Sequence, residues 1–228
     1  MVGCGTGEYE RRLEDRHAEK TRIETKLSGL YLPLVVPGTT ISVRLPKSLF
    51  PDPPLVEGAM VGGKPVDVRR VKPQKLVTIP GLKLTYEGFI ESEGGKLPCY
   101  CYVGVIDVPM QAVEDPSVKM RAELSAQQPP PALTNWQDVS LETPSGQPTV
   151  WRKLRAENSQ EFYTLDKAGQ GEFKNLPGVL EIYFRVEPKN IIVIAWRVPL
   201  SIDNKDKVDL KKWAALVAEC VSVNKAVP

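Results

Sequence analysis

Apolar and polar residues alternate from position 179 to 186, with Leu180, Ile182, Phe184 and Val186 on one side and Glu181, Tyr183 and Arg185 on the other. A period of two is that of a strand with one face in a core and one in water. The segment Glu187-Pro188-Lys189-Asn190 then reverses the chain. The next run, Ile191-Ile192-Val193-Ile194-Ala195-Trp196, is apolar throughout, so both of its faces need cover and it belongs inside a sheet. Pro199 ends that strand. Asp206 is placed to cap a helix, with Asp209 in its first turn and one stripe of Leu210, Trp213, Leu216, Val217, Cys220 and Val221. Such a helix covers one face of the sheet, and the rest of the chain packs around this unit.

The same reading extends upstream. Residues 39–45 form a strand with Ile41, Val43 and Leu45 inward, and residues 76–79, 82–89 and 98–108 follow as strands, the last two joined by a reversal at 91–95. Residues 115–128 suit a short helix containing Val118, Met120 and Leu124, which Pro129-Pro130-Pro131 stops. Strands are expected at 133–141, 149–154 and 161–165, with a turn at Pro144-Ser145-Gly146. Gly169-Gln170-Gly171 has no helix start behind it and reads as a hairpin turn, not a phosphate loop. At the front, residues 8–30 are helical in character, with twelve charges between Glu8 and Lys26 split evenly by sign. Tyr9, Leu13, Ile23, Leu27 and Leu30 make a four-three stripe that Arg16 and Lys20 interrupt, which predicts a solvated stalk docked by its last turn. Residues 31–37 are expected to be a linker. The predicted class is α+β, a mostly antiparallel sheet covered by helices with an extended charged N-terminal helix. Residues 1–37 would be attachment site, helix and linker, and residues 38–228 a single domain with proline-rich loops.

Composition narrows the functional classes. The 228 residues carry a formal charge of +2 without a clustered basic excess, so nucleic acid is not expected as a partner. Residues 58–75 are locally basic through Lys64, Arg69, Arg70, Lys72 and Lys75, which on a proline-rich loop reads as solvation. No stretch approaches the roughly 18 apolar residues that a membrane-spanning helix requires. His17 is the only histidine and lies in the charged helix, so neither an imidazole metal site nor a proton relay is expected. Cys99 and Cys101 alternate onto the side of Val103 and Val105 and read as small buried residues, and with Cys4 and Cys220 they make no disulfide framework. An enzyme would need carboxylates such as Asp107 and Asp138 to meet in space. No cofactor is expected.

The opening residues hold the sharpest motifs. Val2-Gly3-Cys4-Gly5-Thr6-Gly7 resembles the glycine-rich loop of S-adenosylmethionine-dependent methyltransferases, which works when a buried parallel strand delivers it to a helix N-terminus. No such strand stands before Val2, and the chain downstream is strand-rich and proline-rich instead of alternating strand and helix. The methyltransferase reading is therefore disfavoured. Val2-Gly3-Cys4 also resembles the end of a bacterial lipobox, in which an aliphatic residue, a small residue and cysteine mark the acylation site. The basic and apolar regions of a signal peptide are not in the sequence, and Met1 stands where leucine is usual, as a truncated signal or a late start codon would leave it. The resemblance implies a lipid on Cys4.

Residues 136–223 resemble the PsbP-like family, the extrinsic photosystem II subunit and its bacterial relatives. The likeness rests on Trp136-Gln137-Asp138-Val139, the Gly146 turn before Val150-Trp151-Arg152, the strands at 180–183 and 191–197, and a closing helix running into Val221-Ser222-Val223. It implies an α/β/α sandwich and carries over no functional residue. Together these readings predict a non-catalytic, lipid-anchored protein of the cell envelope, facing the periplasm or exterior, with the membrane and an unknown protein as partners. The alternative is a soluble, cytoplasmic interaction module that offers Glu181, Tyr183 and Arg185 from the wet face of their strand.

Overall fold

The computed structural model describes residues 6–50, 60, 61, 64, 65, 79–107, 115–128, 130–203 and 210–223. In chain order its elements begin with α1 (Thr6–Leu27), β1 (Leu34–Val35), β2 (Ile41–Val43), β3 (Met60–Val61), β4 (Lys64–Pro65), β5 (Leu82–Ser92) and β6 (Gly95–Asp107). There follow α2 (Pro116–Ser125), β7 (Ala132–Leu133), β8 (Gln137–Glu142), β9 (Pro148–Leu165), β10 (Gly171–Val186) and β11 (Asn190–Pro199). The described chain ends with α3 (Leu200–Asp203), α4 (Leu210–Glu219) and β12 (Ser222–Val223). The expected α+β class holds: a seven-stranded sheet runs β5-β6-β11-β10-β9-β7 with β8 also on β9, and every pairing in it is antiparallel. A second sheet has the order β1-β2-β12, and β3 pairs with β4.

The apolar run of β11 lies inside the large sheet, with Ile194 opposite Val103 of β6 and Tyr183 of β10. Both of its faces are covered. On one, Ile192, Ile194 and Trp196 share a core with Ile41 and Val43 of β2, Phe50, Ile202 of α3, and Ala214, Val217 and Ala218 of α4. On the other, Ile191, Val193 and Ala195 meet Met120 and Leu124 of α2 together with Tyr100, Leu154 and Phe162. Each large apolar side chain so enclosed contributes roughly 1.5 to 3 kcal/mol. Cys99 and Cys101 lie in the first core beside Val103 and Val105, as their alternation indicates.

This double cover corrects the expected wet face of β10. Leu180, Ile182 and Phe184 are buried as predicted, yet Glu181 is only 6% exposed and Tyr183 2%, because the small sheet and α4 close over their side. Val186, expected inward, is exposed at the strand end. The helix stripe is also shifted: Ala214, Val217, Ala218 and Val221 are buried while Trp213 and Leu216 are half-buried, since two alanines let α4 approach closely. Asp206 and Asp209, its expected first-turn acids, lie outside the described residues. In α2, Asp115 caps the helix by accepting from the Ser117 amide at 2.9 Å, and Met120 and Leu124 are buried, but Val118 is exposed.

Three expected boundaries change. The strands at 149–154 and 161–165 are one strand, β9, because the polar residues between them stay on the ladder, with Ala156 opposite Leu180 and Gln160 opposite Leu176. The stretch 133–141 is divided between β7 and β8. The linker at 31–37 contains β1, and Val36 within it is fully buried. Of the strand expected at 76–79 only Ile79 is described, and it is buried.

Glycines permit two close crossings. A Cβ on Gly88 of β5 would stand 1.6 Å from the Leu49 carbonyl oxygen, so the loop carrying Phe50 can lie directly on the sheet and bring that ring 5.7 Å from Trp196. On β10, a Cβ on Gly178 would stand 2.8 Å from the Phe162 ring. Gly178 faces Pro199, where β11 ends, and beyond it the β9–β10 hairpin curls until Leu165 pairs with Lys96 of β6.

Helix α1 is exposed over most of its length, including His17. Its end docks: Leu27 is half-buried, Leu30 is buried, and a Cβ on Gly29 would touch the Trp213 ring at 3.2 Å. Lys26 Nζ lies 2.6 Å from Glu219 Oε2 of α4 and donates to the Glu142 carbonyl of β8 at 3.3 Å. No helix among the described residues is long and apolar enough to cross a membrane.

Replacing Gly88 by alanine forces its methyl into the Leu49 carbonyl, and a loss of about 2 kcal/mol or more is expected in urea denaturation. The same change at Gly94, with open space around it, serves as the control.

Candidate functional site

Among the described residues, the chemistry-bearing side chains singled out in the sequence do not converge. Cys4 lies outside the described residues, as does the basic stretch 58–75 apart from residues 60, 61, 64 and 65. Asp107 sits opposite Asn190 at the end of β6, and Asp138 sits opposite Arg152 on β8. With β11, β10 and β9 between their strands, the two stand four strands apart, a path of about 19 Å along the sheet. Gly169 belongs to the turn joining β9 and β10, where Asp166 Oδ1 accepts from the amides of Ala168 and Gln170, both at 2.8 Å. Among the described residues no group of three or more His, Cys, Asp or Glu side chains could hold a metal ion.

Cys99, Cys101 and Cys220 are free and buried. Burial raises the thiol pKa of each, that of Cys220 to about 11 with Glu219 adding to the rise. A thiol that stays protonated at neutral pH is a poor nucleophile.

The residues expected on the wet face form a closed polar seam instead. Glu181 Oε1 accepts from the Tyr183 hydroxyl at 2.9 Å and from Lys153 Nζ at 3.0 Å, and Glu181 Oε2 lies 3.7 Å from Arg155 Nη1. Arg155 Nε donates to Glu157 Oε1 at 2.7 Å. Lys153 Nζ lies 5.3 Å from the centre of the Tyr183 ring. Arg185 is ion-paired with Glu187 and lies over Trp151 at 5.3 Å. Burial, then the neighbouring Glu181 carboxylate, raises the Tyr183 phenol well above its ordinary range. A carboxylate engaged on both oxygens and a phenol held neutral are suited to fixing β9 against β10, not to accepting a proton from a substrate. Glu181 and Tyr183 therefore offer no docking surface.

Sequence reasoning missed the most buried cation among the described residues, Arg197, at the end of the apolar run of β11. It is 2% exposed. Its Nε donates to Gln160 Oε1 at 3.0 Å, Nη1 donates to the Tyr102 hydroxyl at 3.4 Å, and Nη2 donates to the Glu161 carbonyl. The guanidinium also lies 4.7 Å from the Phe162 ring centre and 5.2 Å from that of Tyr100. These contacts come from the curled half of β9 and from β6, so Arg197 pins the hairpin over the second core. Gln160 Nε2 donates to Asn158 Oδ1 at 2.9 Å, and Asn158 Nδ2 to Gln127 Oε1 at 3.1 Å, extending the network to the end of α2. The sequence signal was Asn158-Ser159-Gln160 in mid-strand, because polar groups inside a core require polar partners.

On the surface, the small sheet leaves apolar side chains in water along β1. Leu32 is 82% exposed, Leu34 41% and Val35 53%. Arg44 Nη1 donates to the Tyr31 carbonyl at 3.2 Å and Lys47 Nζ stands 5.9 Å from the Tyr31 ring centre, so two cations border the strip.

No protein-family model matches the chain, and no curated protein matches it. Among solved structures it is similar to the Ran-binding protein Mog1p of Saccharomyces cerevisiae, with 12% identity over 84% of this chain and 94% of that one and a TM-score of 0.38.

Replacing Arg197 by alanine strands its polar partners, and a loss of about 2 to 4 kcal/mol is expected in chemical denaturation, with lysine restoring little of it. Alkaline pH provides an independent check. Tyr86, Tyr100, Tyr102, Tyr183 and the three buried thiols all have pKa values raised in the folded state, Tyr102 to about 12 because burial outweighs the lowering by Arg197. Their stabilising share is complete below the unfolded values, about 8.5 for thiols and about 10 for phenols. Above these the unfolded chain releases protons that the fold retains, so stability falls by up to about 1.4 kcal/mol per pH unit and group. Phenolate absorbance is expected to show a late step that coincides with unfolding followed by circular dichroism.

Proposed function

We propose that this chain is a non-catalytic, protein-binding domain of the cell envelope, held at a membrane by a lipid on Cys4 and facing the periplasm or exterior. The observation that carries the binding reading is the strip on β1, where Leu32, Leu34 and Val35 remain in water although two extensive cores are available. Apolar side chains gathered on one exposed edge gain from a partner that covers them. The buried charges Glu181 and Arg197, by contrast, are engaged by Tyr183 and Lys153 and by Gln160.

The tether is part of the same proposal. Helix α1 starts at Thr6, two positions after Cys4, and its 22 residues extend about 33 Å at about 1.5 Å each. A helix with twelve charges in its length is a stable spacer in water. One acyl chain alone gives only marginal binding, K on the order of 10⁴ M⁻¹, so a stable anchor at Cys4 would carry several, as in the bacterial lipoproteins that Val2-Gly3-Cys4 resembles. A PsbP-like kinship of residues 136–223 belongs to this reading, supported by an antiparallel sheet covered on both faces.

Expression from the complete coding region in the native host is expected to give a membrane-bound protein whose N-terminal peptide begins at acylated Cys4 in mass spectrometry. Cys4→Ser is expected to release it, whereas an unmodified Cys4 in the membrane fraction defeats the anchor. Photo-crosslinking residues distributed over the body in the native envelope are expected to yield a discrete protein adduct. No adduct from any position would remove the binding reading.

A further inference from the structure

We propose that β1 receives an extended, acidic segment of a partner protein as an additional strand of the small sheet, an inference that rests on the protein-binding reading above. β1 is terminal in the order β1-β2-β12, and among the described residues no strand pairs with its outer side. Leu34 is opposite Val43, Val35 is opposite Ser42, and the Val36 amide donates to the Ile41 carbonyl at 2.8 Å. Backbone groups alternate in direction along an antiparallel ladder, so the N–H and C=O of Val35 turn outward. Pro33 and Pro37, which share that direction, have no N–H. Val35 therefore offers an outward donor at the end of the apolar strip, flanked by two positions without one. This is enough to register an incoming strand, and too little to template a long one.

Charge decides which strand fits. From Ser28 to Phe50 the chain contains no Asp or Glu, while Arg44 and Lys47 lie at the Tyr31 end of the strip. Side chains alternate across the sheet, so a segment that alternates apolar residues with carboxylates would place the former beside Leu32 and Leu34 on one face and the latter on the opposite face, which carries Val35 and Arg44. A second copy of this chain is a poorer occupant, because its own β1 brings the same cations and the same single donor.

The test uses the full chain and a short fluorescent peptide alternating valine with glutamate, alongside its valine–lysine counterpart. The glutamate peptide is expected to bind saturably and to perturb the Val35 amide in NMR spectra. The lysine peptide should bind at least about tenfold more weakly. Val35→Pro removes the outward donor and leaves the β1–β2 ladder intact, which unchanged thermal melting confirms, and it should weaken the glutamate peptide by about tenfold. Lys47→Glu, which alters no backbone bond, should narrow or invert the preference between peptides. Equal binding by Val35→Pro overturns strand addition, and equal binding of both peptides overturns the acidic preference. Absence of binding, or perturbation confined to another surface, overturns the β1 assignment; the wider binding reading falls only if the envelope crosslinking also yields nothing.

Discussion

A strand with no polar face commits the molecule on both sides. The six apolar residues 191–196 cannot lie at an edge or beneath one layer, so the sheet containing them must be roofed twice. The chain supplies one roof from β2, the Phe50 loop, α3 and α4, and the other from α2 and its own curled hairpin. Both depend on a glycine where a side chain would block the approach. Gly88 admits the Phe50 loop and Gly178 admits the Phe162 ring.

Double roofing encloses charge as well as hydrocarbon. Residues of β9 and β10 that alternate outward on an open sheet are shut in here, and the carboxylate of Glu181 is matched by Lys153, Arg155 and the Tyr183 hydroxyl. On the opposite face of the sheet Arg197, which stands across from Leu180 and next in register to Glu181, is matched by an amide, a phenol, a carbonyl and two aromatic faces. Removing either centre of charge leaves several buried groups unsatisfied, which is costlier than the loss of the bonds themselves. Such seams add specific polar partners to the register that the hydrophobic pattern and the turns already set between long strands.

Period and punctuation carried most of the fold. The β10–β11 hairpin, the closing helix, the docked end of α1 and the shared side of Cys99 and Cys101 all follow from local pattern. What remained hidden depends on the second roof. Glu181 and Tyr183 look solvated because alternation reports one buried face and is silent about a layer donated by residues 41–50, more than a hundred positions away. The Arg155 to Gln160 stretch looks like a break because its polar side chains find partners in α2 and Arg197 that no window of sequence contains. The candidate surface was hidden for the opposite reason: residues 31–37 read as a linker, and only pairing with β2 shows that Leu34 and Val35 stand on an edge.

Helix α1 is attached to the body at one end. It grips the body through its C-terminal end, by Ile23, Lys26, Leu27, Leu30 and the contact of Gly29 with Trp213, and the Arg22 side chain lies beside Gly146. A rod clamped at one end acts as a lever. A tilt of about 10° at the clamp displaces the far tip by about 6 Å over about 33 Å of helix. The angle between α1 and the body is thus governed by a handful of side chains packed chiefly against α4, and repacking that small pivot would re-aim the helix without disturbing either core.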